Sequence, residues 1–246
     1  MAQNVSVIIP TLNEQTFLPK LLASLAAQRY EAKLQIIVVD GGSSDKTLEV
    51  AKAFKGKIDD LEIITSARGL SHQRNVGASK SKYSHLVFLD ADVVLAPKFL
   101  QKLYGSKNAL STKPYIGIPL ILPDRLNLLD YCFTMGAYIF FLLNRFTHPI
   151  VTGMCLVTTQ ENHKQVGGFN ERAAYAEDIQ YGLDSAKKGA RYHVFLNAHV
   201  FASARRGREL GRVKLARIWL GWYHSIIKHG AVTDKSLYDY KYGRFQ

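Results

Sequence analysis

The sequence has little of what defines several other classes of protein. It contains two cysteines, Cys132 and Cys155, and both lie among apolar residues. Two cysteines without a metal-ligand spacing argue against a disulfide framework and against a cysteine-based metal site. We therefore expect both to be reduced residues of the core, as is usual for a protein in the cytosol.

The sequence also has no segment typical of a linker, a signal peptide or a membrane span. No stretch is repetitive or rich in proline, glycine or serine, which predicts one α/β unit of 246 residues rather than two independent domains. The first residues lack the basic segment and apolar run of a signal peptide. The uncharged apolar segment 131–144 is shorter than the about 20 residues that span a bilayer, so we expect a buried or interfacial helix there.

Positive charge is plentiful and unevenly distributed. The formal net charge is +12, and residues 201–246 carry ten Lys and Arg residues against three Asp and Glu residues. A basic surplus of this kind predicts a polyanionic partner. The candidates are nucleotide phosphates, nucleic acid and an anionic membrane surface.

The first hundred residues alternate between strand and helix patterns. This order predicts an α/β fold with a doubly wound, mainly parallel sheet and flanking helices, in which ligands bind at the carboxyl ends of the strands. The predicted strands are residues 5–10, 34–39, 61–65, 85–89, 115–122, 154–159 and 192–196. The predicted helices are residues 18–29, 45–54, 71–80, 131–144, 176–188 and 209–228, with a further helix opened by Pro97.

Two carboxylates directly follow the fourth predicted strand. Asp90 and Asp92 are one residue apart, so they repel each other unless a cation lies between them. Mg²⁺ and Mn²⁺ prefer such oxygen ligands and can bridge the phosphates of a nucleotide. A solvated loop with two acids is the alternative, and the position after a buried strand favours the metal site.

Polar side chains also follow the first two predicted strands. Thr11, Asn13 and Glu14 lie just past the first strand and can hydrogen-bond a base or a ribose, although they also suit the cap of the next helix. Asp40 ends the second strand without an obvious structural partner, which favours a role in binding. The serines after it have the pattern of helix caps.

Two later segments add charged candidates. Arg74, on the helix predicted at residues 71–80, is suited to pair with a phosphate or to cover the base. Glu177 and Asp178 begin another helix, where acids gain from the helix dipole. The functional alternative is a general base that deprotonates an acceptor hydroxyl.

Together, these segments resemble family 2 glycosyltransferases of the GT-A fold over residues 5–206. The resemblance lies in an ordered set of motifs. The set comprises Asn13-Glu14 after the opening strand, Asp-Gly-Gly-Ser-Ser-Asp at 40–45, Arg74-Asn75-x-Gly77, Asp-x-Asp at 90–92, and Gly-Gly-Phe followed by Glu177-Asp178. The family implies inverting transfer of a sugar from a UDP- or GDP-sugar to a hydroxyl or a lipid phosphate.

The resemblance also implies a role for each candidate residue. Asp178 would be the catalytic base with Glu177 beside it, and Asp90 and Asp92 would bind Mg²⁺ or Mn²⁺ on the diphosphate. The residues implied in binding the nucleotide sugar are Pro10, Thr11, Asn13, Glu14, Asp40, Arg74, Asp90, Ala91, Arg205 and Arg206.

Two departures from the family pattern change the expectations. Gly41 stands where many relatives have a second acid, which weakens the predicted contact between Asp40 and the base. The Gln-x-x-Arg-Trp motif of processive synthases is absent after Asp178, which predicts transfer of a single sugar. Arg205 and Arg206 stand after the last strand instead, where they could neutralise the leaving diphosphate or form a solvated basic face.

The remaining predictions concern domain limits and location. Residues 1–206 are predicted to form the catalytic domain, with a nucleotide-binding half up to about residue 110 and an acceptor half after it, and residues 207–246 a basic amphipathic extension. We expect a cytoplasmic protein, peripheral at the inner face of the cell membrane. Its acceptor would be a polyprenyl phosphate or another lipid-linked glycan, near which a membrane-facing surface of segment 131–144 and the helix at 209–228 would hold the active site. In this helix, Arg212, Lys214 and Arg217 would lie near the anionic lipid surface, and Trp219 and Trp222 would insert into the membrane beside them. Packing of this helix on the domain, or a homodimer contact, is the alternative.

Two other functions fit parts of the sequence. A sugar-phosphate nucleotidyltransferase would need a glycine-rich basic loop after the first strand, where residues 11–14 contain no glycine. A non-enzymatic nucleic-acid-binding module fits the charge, but the acids at the strand ends would repel a phosphate backbone. We therefore expect no nucleic acid among the partners.

Overall fold

The computed structural model describes residues 1–105, 113–125, 127–203 and 205–230, without the side chains of Arg205 and Arg206. In these ranges the strands are β1 (Val5–Thr11), β2 (Leu34–Asp40), β3 (Leu61–Thr65), β4 (His85–Leu89), β5 (Val93–Leu95), β6 (Tyr115–Pro123), β7 (Cys155–Thr159) and β8 (Arg191–Ala202). The helices are α1 (Leu18–Ala26), α2 (Thr47–Lys52), α3 (Leu70–Ser79), α4 (Phe99–Tyr104), α5 (Leu128–Asn144), α6 (Gln160–Val166), α7 (Glu177–Lys187), α8 (Arg205–Leu210) and α9 (Arg212–His229).

These strands join one sheet in the order β3-β2-β1-β4-β7-β6-β8-β5. Strands β1 to β4 are parallel to one another, whereas β7 runs antiparallel to both β4 and β6. Strand β8 is parallel to β6 and antiparallel to β5. The predicted α/β fold is confirmed, with a parallel N-terminal half and a mixed remainder. The carboxyl ends of β1, β2 and β4 lie at one edge, next to the amino end of β7.

The central strands of the parallel half are mainly apolar because they are covered on both faces. Every residue of β1 and β4 is buried, and α1 adds a stripe of four buried leucines at helical spacing. Helix α3 approaches the sheet closely at Gly77, where a Cβ atom would lie 2.3 Å from Ile8 Cγ2. Glycine at this position therefore lets α3 lie against β1.

A second, smaller apolar cluster joins α7 to α9. Its buried members are Tyr175, Ala176, Leu183, Trp222 and Ile226. The helix predicted as part of a C-terminal extension thus packs on α7 and the segment before it along one face. The predicted domain boundary at residue 206 stays a prediction.

Several predicted elements differ from those observed. The helix predicted at residues 209–228 is two helices, because Gly211 has a φ of 81°, outside the helical region. Pro97 does not open a helix, since α4 begins at Phe99 after Lys98. Helix α2 is shorter than predicted, and strand β5 and helix α6 were not predicted because they are too short for a periodic pattern. Cys155 is buried as expected, but Cys132 is exposed on α5, so the core position predicted for Cys132 is wrong.

Candidate active site

The parallel register of β1 and β2 places their carboxyl ends side by side, with Thr11 next to Asp40. Beyond these residues the two loops are joined by hydrogen bonds. The Asn13 N–H donates to Ser43 Oγ at 2.8 Å, and Asn13 Oδ1 accepts from the Ser44 N–H at 2.8 Å. Asn13 has a φ of 56°, a conformation that asparagine adopts more readily than most residues. The serines predicted as helix caps therefore connect the two loops instead.

Asp40 is fully buried and accepts several hydrogen bonds from its own loop. Its Oδ2 accepts from the N–H groups of Gly42 at 3.0 Å and Ser43 at 2.9 Å, and its Oδ1 accepts from Ser43 Oγ at 2.5 Å. The Thr11 hydroxyl donates to the same Oδ1 at 3.3 Å. The expectation that Asp40 has no structural partner is therefore wrong. Its contact with a base or ribose stays a prediction.

Gln73, on α3, fills the space between these two strand ends. Its side chain is 3% exposed, and its Nε2 donates to the carbonyl oxygens of Thr11 at 2.8 Å and Val39 at 2.7 Å. A Cβ atom on Gly41 would lie 2.9 Å from Gln73 Oε1. Many relatives have an acid at the position of Gly41. In this structure a side chain at that position would displace Gln73.

Arg74, the next residue of α3, lies among three carboxylates. Its Nη1 donates to Glu177 Oε1 at 2.7 Å, and its Nη2 donates to Asp90 Oδ1 at 2.9 Å. The side chain is 1% exposed. Burial lowers the pKa of Arg74, but the carboxylates of Asp90, Glu177 and Asp178 raise it overall. We call these four residues the acidic cluster. The sequence predicted that the Arg74 guanidinium contacts a phosphate or covers the base. In this structure it donates hydrogen bonds to the carboxylates of Asp90 and Glu177 instead.

Asn75, the third successive residue of α3, anchors the loop between α6 and α7. Its Oδ1 accepts from the Phe169 N–H at 2.8 Å, and its Nδ2 donates to the Phe169 carbonyl oxygen and to Glu171 Oε1, both at 2.9 Å. Three successive residues of α3 therefore contact three different segments: the joined loops, the acidic cluster and the segment that leads to α7.

Gly153, just before β7, connects Arg74 with Asp178. Its carbonyl oxygen accepts from Arg74 Nη2 at 3.3 Å, and its N–H donates to Asp178 Oδ2 at 2.6 Å. A Cβ atom at this position would lie 2.4 Å from Arg74 Nη2, so any other residue would displace the guanidinium. The sequence analysis missed Gly153 because an isolated glycine before a strand forms no recognisable motif.

Asp178 can exchange a proton near neutral pH. Burial and the neighbouring Glu177 carboxylate raise the pKa of Asp178 to about 7, although Arg74 and the N–H groups of Gly153 and Ile179 act in the opposite direction. The Ile179 N–H donates to Asp178 Oδ1 at 2.8 Å. Both carboxylate oxygens are thus held by backbone donors, at the start of α7 as predicted.

The residues after β4 suit a divalent cation that also binds a substrate phosphate. Asp90 and Asp92 flank the buried Ala91, and Arg74 occupies one carboxylate oxygen of Asp90. Within the described residues, no group of three or more His, Cys, Asp or Glu side chains could hold a metal ion. Mg²⁺ is commonly bound by one or two carboxylates plus substrate phosphates, and two aspartates meet that requirement.

The other predicted binding residues are only partly described by the structure. Pro10 is buried in β1 and Ala91 is buried after β4, so each contributes mainly backbone to this edge of the sheet. The Glu14 N–H donates to the hydroxyl of Thr47, the first residue of α2, at 2.7 Å. The side chains of Arg205 and Arg206 lie outside the described residues, and their role stays a prediction.

The family match covers the part of the site that contains Asp40, Arg74, Asp90 and Asp92. Residues 6–113 match the model of Glycosyl transferase family 2. The predicted resemblance to this family is therefore confirmed. Glycosyltransferase AglE of Haloferax volcanii is 38% identical over 101 residues, which cover 40% of this chain and 33% of AglE. An uncharacterised glycosyltransferase of Rickettsia prowazekii is 24% identical over 247 residues, covering 94% of this chain and 75% of that protein. Both relatives are named glycosyltransferases, and the match covers about a third of the length of AglE and three quarters of that of the Rickettsia protein.

Solved structures show the same fold. The mannosyltransferase PcManGT from Pyrobaculum calidifontis, in complex with GDP-Man and Mn²⁺, has a TM-score of 0.71 at 20% identity and is covered over 66% of its length by 94% of this chain. TarS of S. aureus, in complex with UDP-GlcNAc, has a TM-score of 0.61 at 20% identity, with 81% of this chain and 58% of TarS covered. These likenesses confirm the predicted GT-A fold.

Proposed function

We propose that this chain is an inverting glycosyltransferase that moves one sugar from a UDP- or GDP-sugar to a hydroxyl group, with a divalent metal on the diphosphate. The acidic cluster carries the proposal, because it holds a carboxyl group able to take a proton near neutral pH close to the Asp-x-Asp motif. The family 2 match and the relatives named glycosyltransferases support the enzyme class. The neighbours that bind GDP-Man and UDP-GlcNAc support the class of donor.

Asp178 is the general base of the proposed reaction. Hydrogen bonds from Gly153 and Ile179 fix the orientation of its carboxylate, which takes the proton from the acceptor hydroxyl. A general base works best when its pKa lies near the working pH, and burial beside Glu177 raises the pKa of Asp178 toward neutral pH. The acceptor oxygen bonds to the anomeric carbon as the bond to the diphosphate oxygen breaks on the opposite face. One displacement inverts the configuration.

The other residues of the edge bind and orient the donor. Asp90 and Asp92 would hold Mg²⁺ or Mn²⁺, which when bound stabilises the charge that develops on the leaving diphosphate. Arg74 keeps Asp90 in position and neutralises Glu177, so that Asp178 remains the carboxylate available to the acceptor. The joined loops after β1 and β2 provide the surface for the base and ribose.

A thermal-shift experiment tests the donor and the metal. The ligands are UDP, GDP, UDP-GlcNAc and GDP-mannose, each with and without Mn²⁺. A ligand at 100 times its Kd stabilises a protein by about 2.7 kcal/mol, which is easily measured. We expect a shift that requires Mn²⁺ in the wild type and is lost in Asp92→Asn. Asp59→Asn, at an exposed acid before β3, is the matched control.

Two results would contradict this part of the proposal. A shift of equal size in Asp92→Asn, or without Mn²⁺, would remove the metal from the mechanism. The absence of a shift with all four ligands would argue against a nucleotide-sugar donor.

The location of the acceptor is the second part of the proposal. Helices α5 and α9 lie side by side, with ring centroids of Phe133 and Trp219 5.8 Å apart and those of Phe140 and Tyr223 5.4 Å apart. Exposed apolar side chains lie along both helices and just past the end of α5, and we call this set the α5–α9 surface. Its members are Leu128, Leu129, Met135, Ile139, Leu143, Phe146, Val213, Leu220 and Ile227. No helix in the described ranges has both the length and the apolar character needed to cross a membrane.

The structure shows that some of the residues predicted to contact a membrane are buried or paired within the protein. Trp222 is buried and packs toward α7, so its expected insertion into a membrane is wrong. Arg212 Nε lies 2.8 Å from Asp130 Oδ1, so its charge is already paired. Lys214 and Arg217 are exposed on α9. We propose that these two cations and the α5–α9 surface hold the protein on an anionic membrane, where the acceptor is a hydroxyl of a lipid-linked glycan.

Sedimentation with liposomes tests this location. The wild type should bind phosphatidylglycerol vesicles at low salt and release them at high salt, because each cation near an anionic surface contributes about 1 kcal/mol. The double variant Lys214→Glu and Arg217→Glu should bind much less. The same charge change at the exposed residues Lys20 and Lys33 is the control. Failure of the wild type to bind at low salt would make a soluble acceptor the better proposal.

A further inference from the structure

We propose that α9 positions the catalytic base, and that Trp222 and Tyr175 are positioning residues for Asp178. The inference rests on the proposed function, because it requires Asp178 to act as the base. It assigns to the C-terminal helix a role in catalysis in addition to its proposed contact with a membrane.

Tyr175 and Trp222 form a stacked aromatic pair. Their ring centroids are 5.3 Å apart, their planes differ by 10°, and each side chain is 5% exposed. Buried aromatic pairs of this kind stabilise a structure beyond the contribution of the area that they bury. The pair therefore fixes α9 to the segment that leads directly into α7.

The segment between this pair and the base has an unusual backbone conformation. Two residues separate Tyr175 from Asp178, and the first of them, Ala176, has a φ of 54° and a ψ of 37°. A left-handed conformation is unfavourable for a non-glycine residue and persists only where the surroundings enforce it. Ala176 is buried in the same apolar cluster as Trp222, so the packing of α9 maintains the turn that starts α7.

The same cluster also contacts the helical turn that carries the base. Ile179 and Leu183, on one face of α7, pack with Trp222 and Ile226 of α9. The Ile179 N–H is the donor to Asp178 Oδ1 at 2.8 Å. A shift of the Trp222 side chain would thus move both the start of α7 and one of the two donors that orient Asp178.

Other contacts hold α9 on the domain independently of this pair. Near its start, Arg212 pairs with Asp130, and further along, the Tyr223 hydroxyl donates to Asn144 Oδ1 at 2.9 Å. Leu215 is buried on the side of α9 that faces the protein. Removal of the Trp222 side chain should therefore loosen the turn before α7 without detaching the helix.

The test compares full-length variants in a donor assay with UDP-GlcNAc and GDP-mannose, Mn²⁺, and water as the acceptor. In Trp222→Ala, kcat should fall about 10- to 100-fold with less than about a twofold change in donor KM, since small displacements of a catalytic group have effects of this size. The pH midpoint of kcat should change as well. Trp222→Phe keeps an aromatic ring and should restore most of the rate. His224→Ala, an exposed position two residues away, should match the wild type.

A second variant approaches the pair from the other side. Tyr175→Ala should reproduce the defect, and the double variant Tyr175→Ala with Trp222→Ala should be no slower than the slower single variant, because the residues act through one contact. If Trp222→Ala lowers the melting temperature but leaves kcat and the pH profile unchanged, the pair is only structural and the inference is wrong. If the wild type releases neither UDP nor GDP, the proposed function fails and this inference fails with it.

Discussion

Two groups of polar side chains lie at the same edge of the sheet and differ in how their charges are balanced. In the joined loops after β1 and β2, the carboxylate of Asp40 is surrounded by donors of its own loop. In the acidic cluster, one guanidinium, that of Arg74, faces three carboxylates. The loops are complete without a ligand, whereas the cluster has an excess of negative charge that a cation or a proton can balance. Asp40 and Asp90 both follow a buried strand in the sequence, but their surroundings differ. Asp40 is bonded within its own loop, whereas Asp90 belongs to a cluster with excess negative charge.

The largest effect that follows from this comparison is expected at the base. Asp178→Asn should lower turnover about 10²- to 10⁴-fold with little change in donor affinity, because the residue acts on the acceptor. Turnover and the Kd for UDP or GDP would be measured on the same preparation. Asp184→Asn, at a more exposed acid of α7, is the control. A collapse of donor affinity in Asp178→Asn would instead identify Asp178 as a ligand of the donor.

The next largest effect is expected on stability. Arg74→Met leaves Asp90 and Glu177 without their shared partner, and breaking a buried ion pair in this way costs about 3–5 kcal/mol. Lys82→Met removes the exposed pair with Asp60 and should cost less than about 1 kcal/mol. Urea denaturation compares the two free energies of unfolding. If both variants lost a similar free energy of unfolding, the ion pairs of Arg74 would be no more important for stability than an exposed pair, and the prediction would be wrong.

A smaller loss is expected in the joined loops. Asp40→Asn keeps one oxygen acceptor and replaces the other by an NH2 group, so it cannot accept all the hydrogen bonds from the Gly42 N–H, the Ser43 N–H and the Ser43 hydroxyl, at a cost of about 1–3 kcal/mol. The same urea experiment measures this loss. If the free energy of unfolding stays at the wild-type value while donor affinity falls, Asp40 serves the ligand rather than the loop.

The smallest effect concerns pH. Because the pKa of Asp178 lies at about 7, its ionised fraction falls as the pH drops below that value. Turnover at pH 6 should be about tenfold below its plateau at higher pH. A rate profile between pH 5 and 9 checks this, with Asp178→Asn expected to have no such step. A wild-type rate that is independent of pH below 7 would contradict proton transfer to this residue.

The sequence predicted the parallel half of the fold well because buried parallel strands are continuous apolar runs bounded by glycine, proline or acids. It also placed Asp90, Glu177 and Asp178 correctly at the ends of their elements. It could not predict the roles of Gln73 and Gly153, because these depend on segments that meet only when the sheet is formed. No local pattern records such contacts.

The sequence also did not show which side of the apolar helix α5 faces solvent. Composition predicted a buried or interfacial helix at residues 131–144, and the structure leaves much of α5 exposed. Hydrophobic residues line α5 on several sides, so periodicity could not show which side faces the domain. The helix break at Gly211 was not predicted, because a helical pattern can tolerate an isolated glycine and the sequence does not show whether the helix ends there.

The contacts of α3 have a consequence for engineering. Gln73, Arg74 and Asn75 each bind a different segment of the site, and Gly77 sets how closely the helix lies against β1. Consider a chimera that takes the loops after β1, β2 and β4 from a relative but keeps α3 of this protein. The side chains of α3 would then no longer match the loops that they contact. Residues 73–77 and the loops after β1, β2 and β4 therefore form one exchangeable unit, and libraries aimed at a new donor should vary them together.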